Sequence, residues 1–307
     1  MSGYDIIGDI HAQATRLEQL LKKLGYHGFR HEEGRKIIFL GDLIDRGTEH
    51  AKTLHIVRGL MAEGTAHAVM GNHEFNAICY SRKSRSGGYI RAHTPENNGG
   101  HARFLEEYPF KTKVYNSVIN WFSTLPVYLD VKGFSVVHAC WNKAALRACG
   151  PYLTKAHTLQ KTAYEAYDSE KSERLRTGIE ILLKGPEFLL PKGITFHDLN
   201  NIERRKCRLL WWEGRPPPQS TTPINQLIEK GDRFAPFEGA DSLRLIRLHE
   251  RFNNAVQKPV FIGHYNLPVM PYLTSDHVAC VNFKNHLVAY RWNEGDKRLD
   301  PSRLVYV

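Results

Sequence analysis

Cysteine is scarce in this chain of 307 residues: Cys79, Cys140, Cys149, Cys207 and Cys280 form an odd, scattered set with no CxxC pair. That spacing argues against a disulfide framework and a cysteine-based zinc site, and it reads most simply as reduced core thiols. Long apolar runs are missing too. None approaches the roughly 18 residues of a membrane span, so no membrane partner is expected. The opening MSGYDIIGDIH lacks the basic start and small-residue cleavage site of a secretion signal, so a cytoplasmic location is expected. Repeats and low-complexity tracts are absent, and the proline-rich RPPPQSTTP, residues 215–223, reads as an ordered loop rather than a boundary.

What is present is a chain with 42% hydrophobic and 24% charged residues, the composition of a globular protein able to bury a full core. A formal charge of +10 favours acidic partners such as phosphates, nucleotides or nucleic acid. Basic runs such as SRKSR and ERRKCR are also what solvated surface looks like, so charge alone decides nothing.

More informative is IIFLGDLIDRGTEH, where an apolar run ends in Asp42, Asp45 and Arg46. Reversing the chain needs Gly and one acid; a second acid and a base exceed that need. The pattern recurs. YDIIGDIH ends in Asp9 and His11, AHAVMGNHE in Asn72 and His73, FSVVHA in His138 and PVFIGH in His264. Each run is short and rich in Val, Ile and Phe, as buried strands are. Between them ATRLEQLLKKLGY places Leu17, Leu20, Leu21 and Leu24 on one helical face and stops at Gly25, and the stretch after Gly47 with Leu54, Val57, Leu60 and Met61 is a second amphipathic helix. Strand and helix alternating in this way give an α/β fold with parallel strands, whose ligands gather at the C-terminal strand ends. Acid, amide and imidazole donors without thiolate suit manganese, iron or zinc. His27, His31, His50 and His55 sit in polar or helical settings and are assigned no role.

With GDIH, GDLIDRG and GNHE in this order, followed by VVHA and FIGH, the chain resembles the calcineurin-like metallophosphoesterases, in their phosphoprotein phosphatase branch. Within it, the N-terminal block is similar to bacterial asymmetrical dinucleoside tetraphosphatases and to the phosphatase module of polynucleotide kinase-phosphatases. The resemblance implies a sandwich of two mixed β-sheets flanked by helices, one domain over residues 1–307, with cap or insert segments near 81–110 and 141–258. It implies that Asp9, His11 and Asp42 hold one divalent cation and that Asp42, Asn72, His138 and His264 hold a second, manganese first, with iron, zinc or nickel as alternatives. It further implies that Arg46 binds phosphate, that His73 paired with Asp45 is the catalytic acid, and that a metal-bridging hydroxide attacks the phosphorus. The apolar HVACVNF and HLVAYRW are expected to close a sheet edge.

The chain departs from that branch where Ala139, Cys140 and Trp141 follow His138 in place of two glycines, and where RLLWWEG carries Trp212 and Glu213 in place of Ser and Asp. Arg215 is a candidate second phosphate contact. Residues 81–101, SRKSRSGGYIRAHTPENNGGH, read as a surface loop or as a cap over substrate, with Arg82, Arg85 and Arg91 available to phosphates or a nucleobase. A nucleotide-type substrate such as a dinucleoside polyphosphate ranks first. A serine/threonine protein phosphatase, or a metal- or nucleic-acid-binding scaffold without turnover, are the rivals. The oligomeric state is open.

Overall fold

In a computed structural model the structure describes residues 3–193, 195–197, 203–212, 252, 256–267 and 270–307. Arg215 and Glu213 lie outside the described residues. The chain begins as expected, with β1 (Gly3–Ile7), α1 (Ala14–Leu24), a small hairpin of β2 (Tyr26–His27) and β3 (Arg30–His31), then β4 (Lys36–Phe39), α2 (His50–Ala62) and β5 (Ala66–Ala68). Helix α1 buries Leu17, Leu20, Leu21 and Leu24 and ends at Gly25, whose φ of 92° is a left-handed cap. Strands β1, β4 and β5 are parallel and in register, so that Ile7, Phe39 and Ala68 form one row across the sheet.

Three helices follow, α3 (Asn72–Ser81), α4 (Pro95–Glu107) and α5 (Lys113–Phe122), then the hairpin β6 (Tyr128–Val131) and β7 (Phe134–Val137). Beyond lie α6 (Lys143–Cys149), α7 (Lys161–Tyr167), α8 (Glu173–Lys184) and the short strands β8 (Glu187–Leu189), β9 (Phe196–His197), β10 (Glu203–Arg204) and β11 (Lys206–Arg208). The described chain closes with β12 (Val260–Ile262), β13 (Val278–Cys280), β14 (Asn282–Phe283), β15 (His286–Asn293) and β16 (Leu304–Tyr306).

Two mixed sheets result. One runs β14-β15-β1-β4-β5 with β16 also on β15, and the other runs β13-β12-β7-β6. They pack face to face through aromatic side chains: Phe134 lies 5.3 Å from Trp292 and 5.6 Å from Tyr4, and Phe261 lies 4.9 Å from Tyr290. HLVAYRW, expected at a sheet edge, is instead the interior strand β15, paired with β1, β14 and β16. Its alternation of large apolar side chains serves the space between the sheets, which an edge position would waste.

Residues 95–101, PENNGGH, are helical rather than loop. Thr94 accepts a hydrogen bond from the Asn97 backbone N–H, Pro95 occupies the first turn, and Phe104 and His101 are buried. An N-cap, an N-terminal proline and burial outweigh two glycines.

Candidate metal centre and active site

The loops after β1, β4, β5, β7 and β12 converge. Gly41 and Gly71 let two of these loops touch: a Cβ on Gly41 would stand 2.3 Å from the Gly71 nitrogen, and φ at Gly41 is +91°. Glu74 locks the same contact, its carboxylate accepting from the backbone N–H groups of Asp42, Leu43 and Gly71 at 2.8, 2.8 and 2.9 Å. Six of the eight non-glycine residues with positive φ among those described are His11, Ala12, Asp42, Asp45, Arg46 and His264, so backbone strain is concentrated here.

Asp42 is at the centre. His138 Nε2 is 3.3 Å from its Oδ1, and His11 Nε2 and His73 Nε2 are 3.8 and 3.9 Å from its Oδ2. Asp42 also accepts the His73 backbone N–H at 2.9 Å, which places it at the electropositive start of α3. His11 Nδ1 donates to the Ile44 carbonyl at 3.0 Å and His138 Nδ1 to the Leu40 carbonyl at 2.6 Å. A carbonyl only accepts, so each Nδ1 carries the hydrogen and each Nε2 can offer a lone pair to a cation. The Asn72 side-chain oxygen lies 2.7 Å from His264 Nδ1 and 3.1 Å from His138 Nε2. Asp9, 3.9 Å from His11, accepts from the His264 N–H at 3.1 Å and from Asn282 at 2.6 Å. Gly263 leaves room for it, since a Cβ there would sit 2.2 Å from Asp9 Oδ1.

These residues fit divalent cations. His11 Nε2 and His264 Nε2 are buried without a partner, a costly state unless something binds there. Burial and then the Asp42 charge push the Asp9 carboxyl up to about 6, and the same two causes push Glu74 up to about 7. Burial, then the neighbouring His73 and Arg46, push His11 down to about 3, leaving it a neutral donor. Burial pushes His138 down, but the charge and hydrogen bond of the adjacent Asp42 carry it the other way, up to about 9. Two groups of donors lie within reach of a single ion each, His11 with Asp42 and His73, and Asp42 with His138 and His264. His73 is therefore close enough to share the first ion's neighbourhood, but its Nδ1 is held 2.6 Å from Asp45 Oδ2.

That dyad has further members which the sequence did not disclose. His101 Nδ1 donates to the other Asp45 oxygen at 2.8 Å. His50, fully buried, accepts the Asp45 backbone N–H through Nε2 at 3.1 Å, while its Nδ1 lies 2.6 Å from Glu107. Burial pushes the His73 pKa down, since desolvation favours the neutral ring, but the Asp42 and Asp45 carboxylates together more than offset it and the net shift is upward. Asp45 is depressed despite burial by its bonds to His101 and His73.

Arg46 is exposed and lines a cleft with Asp9 and His11. Arg82 lies over the Tyr164 ring at 4.3 Å and Arg85 pairs with Glu165 at 3.3 Å, and neither they nor Arg91 line that cleft. The aromatic chain Tyr80, His93, Tyr89, with centroids 3.7 and 4.0 Å apart, explains why residues 81–93 fold back on themselves. The RLLWW element braces the late histidines: Trp211 Nε1 donates to the Ala139 carbonyl at 3.0 Å, and Tyr265 donates to the Leu209 carbonyl at 3.1 Å. Arg208, in a run that reads as solvated, bears on His264, whose pKa is driven well down first by burial and then by that guanidinium.

Two facing sheets with acid, amide and imidazole donors at their strand ends are the frame of a metal-dependent hydrolase. The chain belongs to the calcineurin-like phosphoesterases, the family pattern matching residues 4–264. It is 30% identical over 139 residues to an asymmetrical bis(5'-nucleosyl)-tetraphosphatase, PrpE, of Oceanobacillus iheyensis, a match covering 44% of this chain and 54% of that one. The corresponding Geobacillus thermodenitrificans protein is 47% identical over 73 residues, 22% of this chain and 30% of its own. The matches thus span about half or less of these relatives' length. A serine/threonine phosphatase structure from Saccharomyces cerevisiae superposes with a TM-score of 0.50 at 13% identity, covering 100% of this chain and 79% of that one, a likeness of fold. Among the described residues no helix is long and apolar enough to cross a membrane.

Proposed function

We propose that this chain is a two-cation phosphoesterase acting on a nucleotide-type substrate such as a dinucleoside polyphosphate. Asp9, His11 and Asp42 hold one cation and Asp42, Asn72, His138 and His264 the other. The observation that carries the reading is the gathering of these six side chains, Asp42 among them, with two of their buried imidazole nitrogens left without partners. Bound divalent cations supply Lewis acidity to phosphoryl oxygens and lower the pKa of water. The oxygen- and imidazole-rich donor set favours manganese, with iron, zinc or nickel as competitors.

The chain's own groups do the rest. Arg46, exposed at the cleft beside Asp9 and His11, offers a planar fork to the phosphate oxygens. His73, its Nδ1 hydrogen held by Asp45, has Nε2 available to give a proton to the leaving oxygen. The similarity to the tetraphosphatases over 139 residues and the +10 charge support a nucleotide substrate. Five free, buried thiols are in keeping with a reducing, cytoplasmic setting. The test is turnover of a panel of dinucleoside polyphosphates, phosphopeptides and p-nitrophenyl phosphate with added manganese. Metal-dependent cleavage with the highest kcat/KM on a dinucleoside polyphosphate is expected. Preference for phosphopeptides overturns the substrate, and no turnover of any member overturns the activity.

A further inference from the structure

The cleft beside Asp9 and His11 does not stop at Arg46. It has a volume of about 160 Å³ and runs on to Arg16, Lys284 and His286, with Gln13 and Asn266 supplying neutral polar groups. Among the described residues Asp9 is the one carboxylate in its lining. Arg16, half-buried, is held by the main-chain oxygens of Asn285 and Val307 and by the Gln13 side chain, the latter two at 3.0 and 3.2 Å. Among the described residues neither Arg16 nor Lys284 meets an Asp or Glu carboxylate at ion-pair distance, whereas Lys52, Arg30 and Lys258 each do. The nearby start of α1 is not the source of positive potential, because Glu49 accepts the Thr15 N–H there at 3.0 Å. The cations are thus side-chain charges, and one of them is fixed in place before any ligand arrives.

From this we infer that Arg16 and Lys284 form a second anion subsite, which binds the phosphates adjoining the one under attack, so that the chain selects substrates with several linked phosphates. The inference rests on the phosphoesterase reading above and adds where the rest of the substrate lies. A phosphate held at Arg46 and the candidate ligands has linked neighbours that can follow the cleft outward, each bringing charge to a cation. A phosphopeptide brings neutral amides to the same place. Such complementarity acts more on discrimination between substrates than on the chemical step.

The experiment compares kcat/KM for a dinucleoside tetraphosphate and for p-nitrophenyl phosphate in the wild type, in Lys284→Glu and in Lys297→Glu, an exposed lysine outside the cleft. The ratio of the two constants should fall about tenfold or more in Lys284→Glu, mostly through KM, and stay within about twofold in Lys297→Glu. Calorimetry on the metal-free protein supplies a readout independent of turnover: inorganic tripolyphosphate should bind more tightly than orthophosphate, and Lys284→Glu should remove that advantage. An unchanged ratio in Lys284→Glu, a wild type that cleaves only the aryl ester, or equal binding of the two inorganic anions overturns the subsite. Absence of turnover on both esters while calorimetry still shows the tripolyphosphate preference instead overturns the phosphoesterase reading and leaves the subsite standing.

Discussion

Two buried carboxylates on neighbouring parts of the same sheet are treated in opposite ways. Asp5, on β1, is fully buried and saturated: Arg35 reaches it at 3.0 Å, Arg291 at 3.2 Å and the Tyr26 hydroxyl at 2.9 Å. Arg35 in turn spends its remaining donors on the carbonyls of Tyr4 and Trp292 and on the Asn293 side chain. Asp42, beyond the end of β4, is just as buried but is ringed by imidazoles and has no arginine or lysine on it among the described residues. The first cluster carries its own cations; the second, on the function proposed above, receives them. A buried charge must be paired or coordinate a metal, and the contrast identifies which of the two clusters is complete.

Removing each acid should therefore have different consequences. Asp42→Ala should bring phosphoesterase turnover to background and lower the number of cations bound per chain, since the proposed shared donor is gone; metal analysis with kinetics on p-nitrophenyl phosphate checks both. A variant that keeps two cations and full turnover would break the contrast. Asp5→Asn should leave cation content unchanged but cost about 3 kcal/mol or more in urea unfolding, because two guanidiniums lose their buried partner. Equal metal loss in Asp5→Asn would mean the two clusters are one system.

The dyad sharpens the comparison. His73→Ala should slow alkyl phosphates by about 10²–10⁴-fold, the scale of a general acid, and nitrophenyl esters far less. Metals should be retained if Asp45 holds His73 to the acid role rather than to the first ion's neighbourhood. Equal losses on both esters would leave His73 a positioning residue. His101→Ala should produce a weaker form of the same leaving-group selectivity, on the order of tenfold, because Asp45 keeps only one of its two imidazole partners.

The smallest effect concerns Glu107. Its carboxylate accepts the His50 and Ala51 N–H groups at 2.9 and 2.7 Å, and these bonds lower its pKa although partial burial opposes them. A depressed carboxyl contributes stability that is complete above the unfolded value, about 4.3, and is lost as pH falls through the lower folded value. Wild type and Glu107→Gln should differ in unfolding free energy at pH 7 and converge below pH 4. A difference that persists undiminished in acid would assign the effect to packing.

Much of the site could be read from the chain because each donor follows an apolar strand, and parallel strands in register bring such positions together. Asp9, Asp42, Asn72, His138 and His264 are all of this kind. His101 was hidden because Asn97, Asn98, Gly99 and Gly100 look like loop, whereas the Thr94 cap and burial against Phe104 make helix. His50 has no local signal at all, since its partner Glu107 is 57 residues away. Glu74 did have one: an acid three residues after Gly71 at the start of α3 is a capping-box position, and its carboxylate does return to the Gly71 N–H. The fold was legible to the same extent, with β15 misplaced because strand periodicity says which face is buried but not how many neighbours a strand has.

Whether the Asp42 cluster is incomplete without cations while the Asp5 cluster is complete can be read from calorimetric titration of the metal-free protein with manganese at pH 7.5. Two cations should bind per chain, with protons released as imidazoles give up hydrogen to become ligands, and with a rise in Tm that Asp5→Asn retains and Asp42→Ala loses. Binding of no manganese, or a Tm that does not move, would contradict it.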